Sequence, residues 1–484
     1  MLQVYILVDM KPETHERSGM ATSPRRISAC ARRLSRWSLQ ELSSSFPVLQ
    51  KALSSIDIEF RERLFSPVVT FWMFLSQVLS DNASCQEMVA KALAALWLTE
   101  AKQASADNSA YCQARKRLPE FLLQRLAEQT AADLECRVSA GQLWRGRQVK
   151  IVDGSSLSMP DTGANQSAYP QPDSQKPGCG FPVMRLVVVF SLATGVILRL
   201  ASGRLRQSER ALLQCLIEIF LPGEILLADR GFCSFADIYM LMTRGVDAVL
   251  RQHANRSAGV RCKRRLGSGD RLVEWLLSNR IPPAWMDPKT WHEMPETLTL
   301  REITYTVPVK GFRSKRIVLV TTLTDAKLFP RQAFADLYLQ RWEAELFLRD
   351  IKICLHMDVL RCKTPEMIHK ELWMHVIAYN LIRTLMWTAA QRHHVCPSSI
   401  SFRSSLASIR QWALWLAAMD PRSHRFSKTR DILLAYISQH LVPYRPNRVE
   451  PRARKRRPKI YHLLTAPRKV FKEIHHANRY RKGA

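Results

Sequence analysis

The sequence predicts an α/β protein in which a mixed β-sheet is flanked by helices. Short apolar runs typical of strands, such as residues 184–191 and 196–202, alternate with longer segments whose apolar residues recur at helical spacing. With 484 residues, the chain is also too long for one ordinary core, so we expect about two to four domains.

The composition favours a polyanionic partner. Lys and Arg number 72 against 42 Asp and Glu, which gives a formal charge of +30 and a pI near 10.1. Such a surplus points first to nucleic acid and second to an anionic membrane. The 11 cysteines form no CxxC pair, which argues for a reducing compartment and against a zinc site or a disulfide framework. No apolar run is long enough to span a bilayer, so we expect a cytoplasmic protein.

The first 140 residues divide into a basic arm (1–40) and a helical domain (41–140). Helical periodicity is strongest over 65–79, 86–98 and 118–134. Between the last two lies Ser109-Ala110-Tyr111-Cys112-Gln113-Ala114-Arg115-Lys116-Arg117, in which an aromatic residue stands among basic ones. This segment is either a nucleic-acid contact through Arg115 and Arg117 or a solvated basic turn.

Residues 141–250 are predicted to form the first part of the mixed-sheet core. A strand at 148–152 ends at Asp153, and Gly154 would let the backbone turn beside a cleft. The apolar runs at 184–191 and 196–202 predict a hairpin, and 209–220 predicts a helix. A second apolar run, 224–228, leads into Asp229 and Arg230. Either aspartate alone could be a turn or capping residue, and Arg230 could hold a phosphate or pair with an acidic neighbour.

Residues 251–328 predict a β-rich insertion, with strand-like runs at 302–309 and 316–323. Its basic residues could clamp DNA, and one of Trp275, Trp285 and Trp291 could stack on an extruded base. Core packing is expected for at least two of these three tryptophans.

The second part of the core, 329–395, contains the stretch YLQRWEAELFLRDIK at 338–352. Good helix formers and the absence of Gly and Pro predict one continuous helix. At about 100° per residue, Tyr338, Arg341, Glu345 and Lys352 fall on one face. That face suits a nucleic-acid backbone held beside a carboxylate, although a charged helix can also be a simple solvated surface. Another helix is predicted at 366–392.

The last segment, 396–484, is helical and then strongly basic. Residues 445–484 contain fourteen Lys or Arg against two Glu, and they include Arg454, Lys455, Arg456 and Arg457. A Pro-bounded basic run of this kind binds phosphates without reading bases, or stays a solvated tail.

The spacing Tyr, two residues, Arg, three residues, Glu, six residues, Lys resembles the signature of the IS4-type family of bacterial insertion-sequence transposases. Asp153-Gly154-Ser155-Ser156 and Asp229-Arg230-Gly231-Phe232 resemble the family's first and second acidic motifs. The order of strand with Asp, hairpin, helix and strand with Asp is that of an RNase H-like core. The resemblance covers about residues 70 to 470, and the insertion at 251–328 stands where the family carries a β-rich insertion.

The resemblance implies that Asp153, Asp229 and Glu345 bind metal and catalyse DNA cleavage and strand transfer. Tyr338, Arg341 and Lys352 would hold phosphates. Two Mg²⁺ ions, for which Mn²⁺ can substitute, suit such carboxylates because hard cations take oxygen ligands. The protein would act on double-stranded DNA, both element ends and target, as a homodimer.

Three other hypotheses remain. An RNase H-like endonuclease would keep the three acids but would not join strands. A DNA-binding protein derived from a transposase would have lost catalysis. A membrane-surface protein is the weakest hypothesis, because no basic amphipathic helix with an aromatic apolar face stands out.

Overall fold

The structure is a computed structural model that describes residues 64–80, 83–97, 105–253, 259–277, 281–306, 316–417, 419–420, 423–443, 464–467 and 470. The predicted basic arm and the run with Arg454, Lys455, Arg456 and Arg457 lie outside the described residues.

Thirteen α-helices occur in these parts of the chain. They are α1 Pro67–Leu79, α2 Cys85–Trp97, α3 Ser109–Arg117, α4 Glu120–Glu135, α5 Gly163–Ala168, α6 Glu209–Gln214, α7 Phe235–Thr243, α8 Pro288–His292, α9 Arg331–Gln340, α10 Trp342–Arg349, α11 Pro365–His393, α12 Phe402–Ala417 and α13 His424–Gln439.

Nine strands form one mixed sheet, as the sequence predicts. They are β1 Val149–Ser158, β2 Val183–Ser191, β3 Ile197–Arg204, β4 Ile225–Ala228, β5 Asp247–Arg251, β6 Val260–Gly267, β7 Asp270–Leu276, β8 Thr297–Thr306 and β9 Arg316–Thr321. Their order is β3-β2-β1-β4-β5-β9-β8-β7-β6. Strand β1 is antiparallel to β2 and parallel to β4, which is in turn parallel to β5.

The hairpin prediction is confirmed. β2 and β3 pair along their length, and the loop between them contains Gly195 at φ +73, a left-handed conformation that glycine adopts without strain. The strands of residues 251–328 continue the same sheet, because β9 pairs with β5 on one side and with β8 on the other.

Two hydrophobic cores lie on the two faces of the sheet. Successive residues of a strand point to opposite faces, so Ile151 of β1 joins the core with α10 and α11, and Val152 joins the core with α6 and α7. Asn380 of α11 is fully buried and bonds both backbone groups of Ile197, so the long helix is fixed to the edge strand β3.

Three local predictions are wrong. Strand β1 does not end at Asp153 but continues to Ser158, and Gly154 lies within the strand, paired with Val187. The helix predicted at 209–220 ends at Gln214, and a separate 3₁₀ turn follows at Ile217–Ile219. The segment 109–117 is helix α3, not a turn.

The tryptophans of 251–328 belong to the core. Trp275 is fully buried, Trp291 is 8% exposed, and Trp285 packs against the same cluster from a partly buried position. The expectation that at least two of them serve packing is therefore confirmed.

Candidate active site

Asp153 and Asp229 lie side by side on neighbouring parallel strands. The register of β1 and β4 runs from Val149 opposite Ile225 to Val152 opposite Ala228. Asp153 directly follows Val152, and Asp229 directly follows Ala228. Neighbouring strands stand about 4.8 Å apart. Although the predicted strand end at Asp153 is wrong, the pairing brings the two aspartates together because β4 does end there. Asp229 then caps a 3₁₀ turn and accepts a bond from Gly231 N at 2.7 Å.

A fourth carboxylate, which the sequence did not reveal, reaches this point from the other face of the sheet. A Cβ added at Gly154 would stand 2.5 Å from Glu209 Cδ. A Cβ added at Gly231 would stand 3.0 Å from Asp229 Oδ1 and 4.0 Å from Glu209 Oε2. Both glycines therefore leave room for carboxyl groups. In the sequence, Glu209 shows only as the first residue of a helix after Ser208, a typical N-cap.

The stretch at 338–352 is not one continuous helix. Helix α9 ends at Gln340 and α10 begins at Trp342, because Arg341 N and Ala344 N bond to the carbonyls three residues earlier, Tyr338 O and Arg341 O. Arg341 keeps helical dihedral angles, φ −54 and ψ −31, so the chain direction is preserved through this tightened turn.

Three of the four predicted side chains do share one face. Arg341 Nη2 lies 2.8 Å from Glu345 Oε1, and the Arg341 guanidinium lies 5.9 Å from the centre of the Tyr338 ring. Burial raises the pKa of the Tyr338 hydroxyl to about 12, so this group stays protonated and can donate a hydrogen bond.

Helix α10 packs against β1. Ala344 and Phe347 pack into the same core as Ile151, which lies on the Asp153 side of the sheet. Burial raises the pKa of Asp153 to about 6, although the Gly154 N–H bond and Arg341 act in the opposite direction. The negative charges of Asp229 and Glu345 raise the pKa further, so the three acids are close enough to influence one another.

Lys352 lies elsewhere on the same segment. Residues Asp350–Cys354 form a π-helical turn, and Lys352 Nζ donates to Ser155 Oγ at 2.8 Å and to Ser156 O at 2.9 Å. The ammonium group thus ties the turn that follows α10 to β1, two and three residues beyond Asp153.

The donor chemistry of the three acids fits a hard divalent cation, since Mg²⁺ and Mn²⁺ prefer carboxylate oxygens. The side-chain positions do not enclose one: in the parts of the chain that the structure describes, no three His, Cys, Asp or Glu side chains could hold an ion together. Glu345 is instead held by Arg341.

The remaining predicted DNA contacts differ in exposure. Arg230 and Arg117 are exposed, but Arg115 is only 7% exposed and its guanidinium lies over the Phe74 ring. Arg115 is therefore not a surface contact of the predicted kind, because α3 turns it inward. The basic residues Arg261, Lys263, Arg264 and Arg265 are exposed on β6, the edge strand of the sheet.

Comparisons with known proteins give the family of the chain. Residues 144–381 match the family described as the transposase DDE domain. The chain is 30% identical over 364 residues, 75% of its length and 79% of the relative's, to the transposase InsG for insertion sequence element IS4 of Escherichia coli strain K12. It is 31% identical over 128 residues, 26% of its length and 43% of the relative's, to the putative transposase InsZ of the same strain. Among solved structures, a piggyBac transposase synaptic complex with hairpin DNA is 10% identical, covers 85% of each chain and gives a TM-score of 0.42.

The chain is thus a transposase of the DDE class. Within that class it belongs to the IS4 family. Membership implies an enzyme that binds DNA and uses a divalent metal. None of the described helices is long and apolar enough to cross a membrane.

Proposed function

We propose that this transposase cleaves DNA at the ends of its insertion sequence and joins the freed 3′-hydroxyl to target DNA at one site. Asp153, Asp229 and Glu345 are its catalytic residues, and β1 to β5 form an RNase H-like core. The observation that carries the proposal is the register of β1 and β4, which sets Asp153 beside Asp229 on the sheet face against which the helix with Glu345 packs.

The three carboxylates would hold two Mg²⁺ ions, or two Mn²⁺ ions in their place. Bound there, divalent ions activate the attacking oxygen and relieve negative charge at the reacting phosphate. Arg341 donates a hydrogen bond to Glu345 Oε1 at 2.8 Å and so orients this carboxylate. Its positive charge also lowers the pKa of Asp153.

Cationic and hydroxyl groups around the acids would hold the DNA backbone. Tyr338, Arg341 and Lys352 stand on the catalytic segment, and the exposed Arg230 follows Asp229 directly. Arg117 and the basic run from Arg454 to Arg457 would add further phosphate contacts. Such contacts position the duplex without reading its sequence. Pairing of two element ends would require a homodimer.

A strand-transfer assay with a 3′-hydroxyl DNA end and Mg²⁺ tests the proposal. We expect wild-type protein to cut and join, and Asp153→Asn, Asp229→Asn and Glu345→Gln each to lose both steps while DNA affinity remains. Glu343→Gln is the matched control, since it makes the same change on α10 two residues before Glu345.

The endonuclease hypothesis and the hypothesis of a DNA-binding protein without catalysis predict different results in this assay. Cutting without joining would identify an RNase H-like endonuclease. Equal, background-level cleavage by wild type and Asp153→Ala would identify a DNA-binding protein without catalysis.

A further inference from the structure

A cavity of about 710 Å³ lies between the N-terminal helices and the segment that follows the catalytic helix. Helices α1 and α3 form one wall, with Phe74 and Arg115, and residues 355–364 with the start of α11 form the other. The lining residues Lys116, Arg361 and Lys363 are exposed, so the cavity opens to solvent on that side.

Arg115 lies in this cavity with an incomplete set of partners. Among the described residues, its Nη1 and Nη2 hydrogen-bond only to sulfur atoms, Cys85 Sγ at 3.0 Å and Cys362 Sγ at 3.3 Å. Its Nε has no hydrogen-bond partner among the described residues. Sulfur is a weak acceptor, and burial raises the pKa of the Cys362 thiol, so that sulfur carries no negative charge at neutral pH. A guanidinium that is 93% buried normally requires an acidic or carbonyl partner.

The carboxylate in the lining acts on Arg115 through its charge but makes no hydrogen bond to it. Glu371 lines the same cavity, but its two oxygens accept the backbone N–H groups of Arg361 at 3.0 Å and Cys362 at 2.9 Å. Against this single carboxylate the lining has four cations, Arg115, Lys116, Arg361 and Lys363. The cavity therefore has a surplus of positive charge.

Three further features concern ligand binding in this space. His375, 5% exposed, lines the cavity, and its Nδ1 has no partner in the described part of the chain. His356, another lining residue, has φ +57, a strained conformation for a residue with a side chain and one that clusters at binding sites. Thr364 caps α11 at the cavity wall, so the positive end of a 29-residue helix dipole adds to the field there.

We propose that this cavity binds a phosphate group, with the Arg115 guanidinium at its base and Lys116, Arg361 and Lys363 at its mouth. Phosphate fits better than a carboxylate, because three or more oxygens can meet several separated cations and donors at once. The apolar wall of Phe74, Val78 and Met367 leaves space for an organic group attached to that phosphate.

The phosphate could belong to a DNA strand or to a free molecule. The DNA source rests on the proposed function, and residues 355–364 directly follow the segment with Glu345 and Lys352 in the chain. The free source does not depend on the proposed function.

Thiol labelling of the full-length protein tests the proposal directly. Cys85, Cys112 and Cys362 line the cavity and are partly buried, whereas Cys136, Cys215 and Cys396 are exposed elsewhere. The probes are inorganic phosphate, deoxyadenosine monophosphate and a duplex oligonucleotide, and mass spectrometry measures the labelling rate at each cysteine. We expect at least one probe to slow labelling of the three lining cysteines several-fold and to leave the three exposed ones unchanged.

Substitution of the cationic residues at the mouth of the cavity tests whether the protection comes from binding in the cavity. Arg361→Ala and Lys363→Ala change exposed side chains. We expect each substitution to lower the affinity for the protecting probe about tenfold, because one charge-assisted contact is lost. Arg125→Ala is the matched control, an exposed arginine of the same helical region that does not line the cavity. Protection by phosphate or the nucleotide identifies a free ligand, and protection by the duplex alone identifies a strand of DNA.

Two results would overturn the proposal. One is the absence of protection by all three probes. The other is protection that Arg361→Ala, Lys363→Ala and Arg125→Ala weaken equally. If strand transfer by the wild-type protein proceeds in either case, the proposed function stands and only the cavity assignment fails.

Discussion

Glu209 lies with its carboxyl group against Gly154, so that a Cβ at position 154 would stand 2.6 Å from Glu209 Oε1. Glu209 belongs to the first turn of α6 and Gly154 to the middle of β1, and the two meet on the face of the sheet that α6 covers. No cation or hydrogen-bond donor among the described residues pairs with the Glu209 carboxylate. A free acid therefore borders the strand that carries Asp153.

The first prediction concerns Gly154→Ala. The new methyl group overlaps only the end of a flexible side chain, so Glu209 can rotate away, and alanine favours a strand more than glycine does. We expect the free energy of unfolding to change by less than about 1 kcal/mol. Urea denaturation measures it.

A double-mutant cycle completes this test. In the Glu209→Ala background the overlap is absent, so Gly154→Ala should be neutral or stabilising there. A loss of several kcal/mol in both backgrounds would show that something other than Glu209 requires glycine at this position.

The second prediction concerns Lys352→Met. The substitution keeps a long apolar stem but removes the bonds to Ser155 Oγ and Ser156 O that fix the π-helical turn to β1. We expect DNA cleavage to fall by about 10²-fold, because misplacing catalytic groups by a small distance costs that much.

DNA affinity separates a positioning role from a phosphate contact for Lys352. If the ammonium mainly fixes β1, the affinity and its salt dependence stay nearly unchanged. A reduction of the salt slope by about one would instead show that Lys352 neutralises a phosphate.

The sequence predicted the sheet, the hairpin and the shared face of Tyr338, Arg341 and Glu345, because these depend on local periodicity. It did not predict the contact of Glu209 with Gly154, which joins residues far apart in the chain across a strand. It also gave Arg115 a surface role, because charge alone does not show that Phe74 and two cysteine sulfurs cover a guanidinium. Periodicity reports the direction of a side chain, and only the packing of distant elements decides what that side chain meets.

The third prediction concerns pH and Asp237. Burial raises the pKa of this carboxyl from 3.8 to about 6, although Ser234 and Gln214 bond to it. Between these two values the folded state holds more protons than the unfolded chain. The free energy of unfolding therefore falls as pH rises from about 4 to about 6, and it remains lower above that range.

Asp237→Asn removes this titration. We expect the variant to gain about 2–3 kcal/mol relative to wild type between pH 4 and pH 7.5, measured as the difference in unfolding free energy at each pH. The matched control is Asp173→Asn, an exposed carboxyl whose pKa Arg206 lowers below 3.8, so its difference should stay nearly constant between pH 4 and pH 7.5. A pH-independent difference for Asp237→Asn would contradict the prediction.

The fourth prediction concerns the buried pair of Arg301 and Asp270. Arg301, 1% exposed, donates to both Asp270 oxygens at 2.8 and 2.6 Å and to Phe329 O at 2.7 Å. Phe329 precedes the N-cap of α9, so the pair also anchors the start of this helix.

Arg301→Leu should lower the free energy of unfolding by about 3–5 kcal/mol, because it leaves Asp270 charged, buried and unpaired. Asp270→Leu added to Arg301→Leu should restore much of that loss, since two leucines can pack where two charges stood. Urea denaturation of both variants gives the comparison. Additive losses in the double variant would show that Asp270 has other partners, and a double variant of normal stability but reduced cleavage would show that Arg301 mainly sets the position of α9.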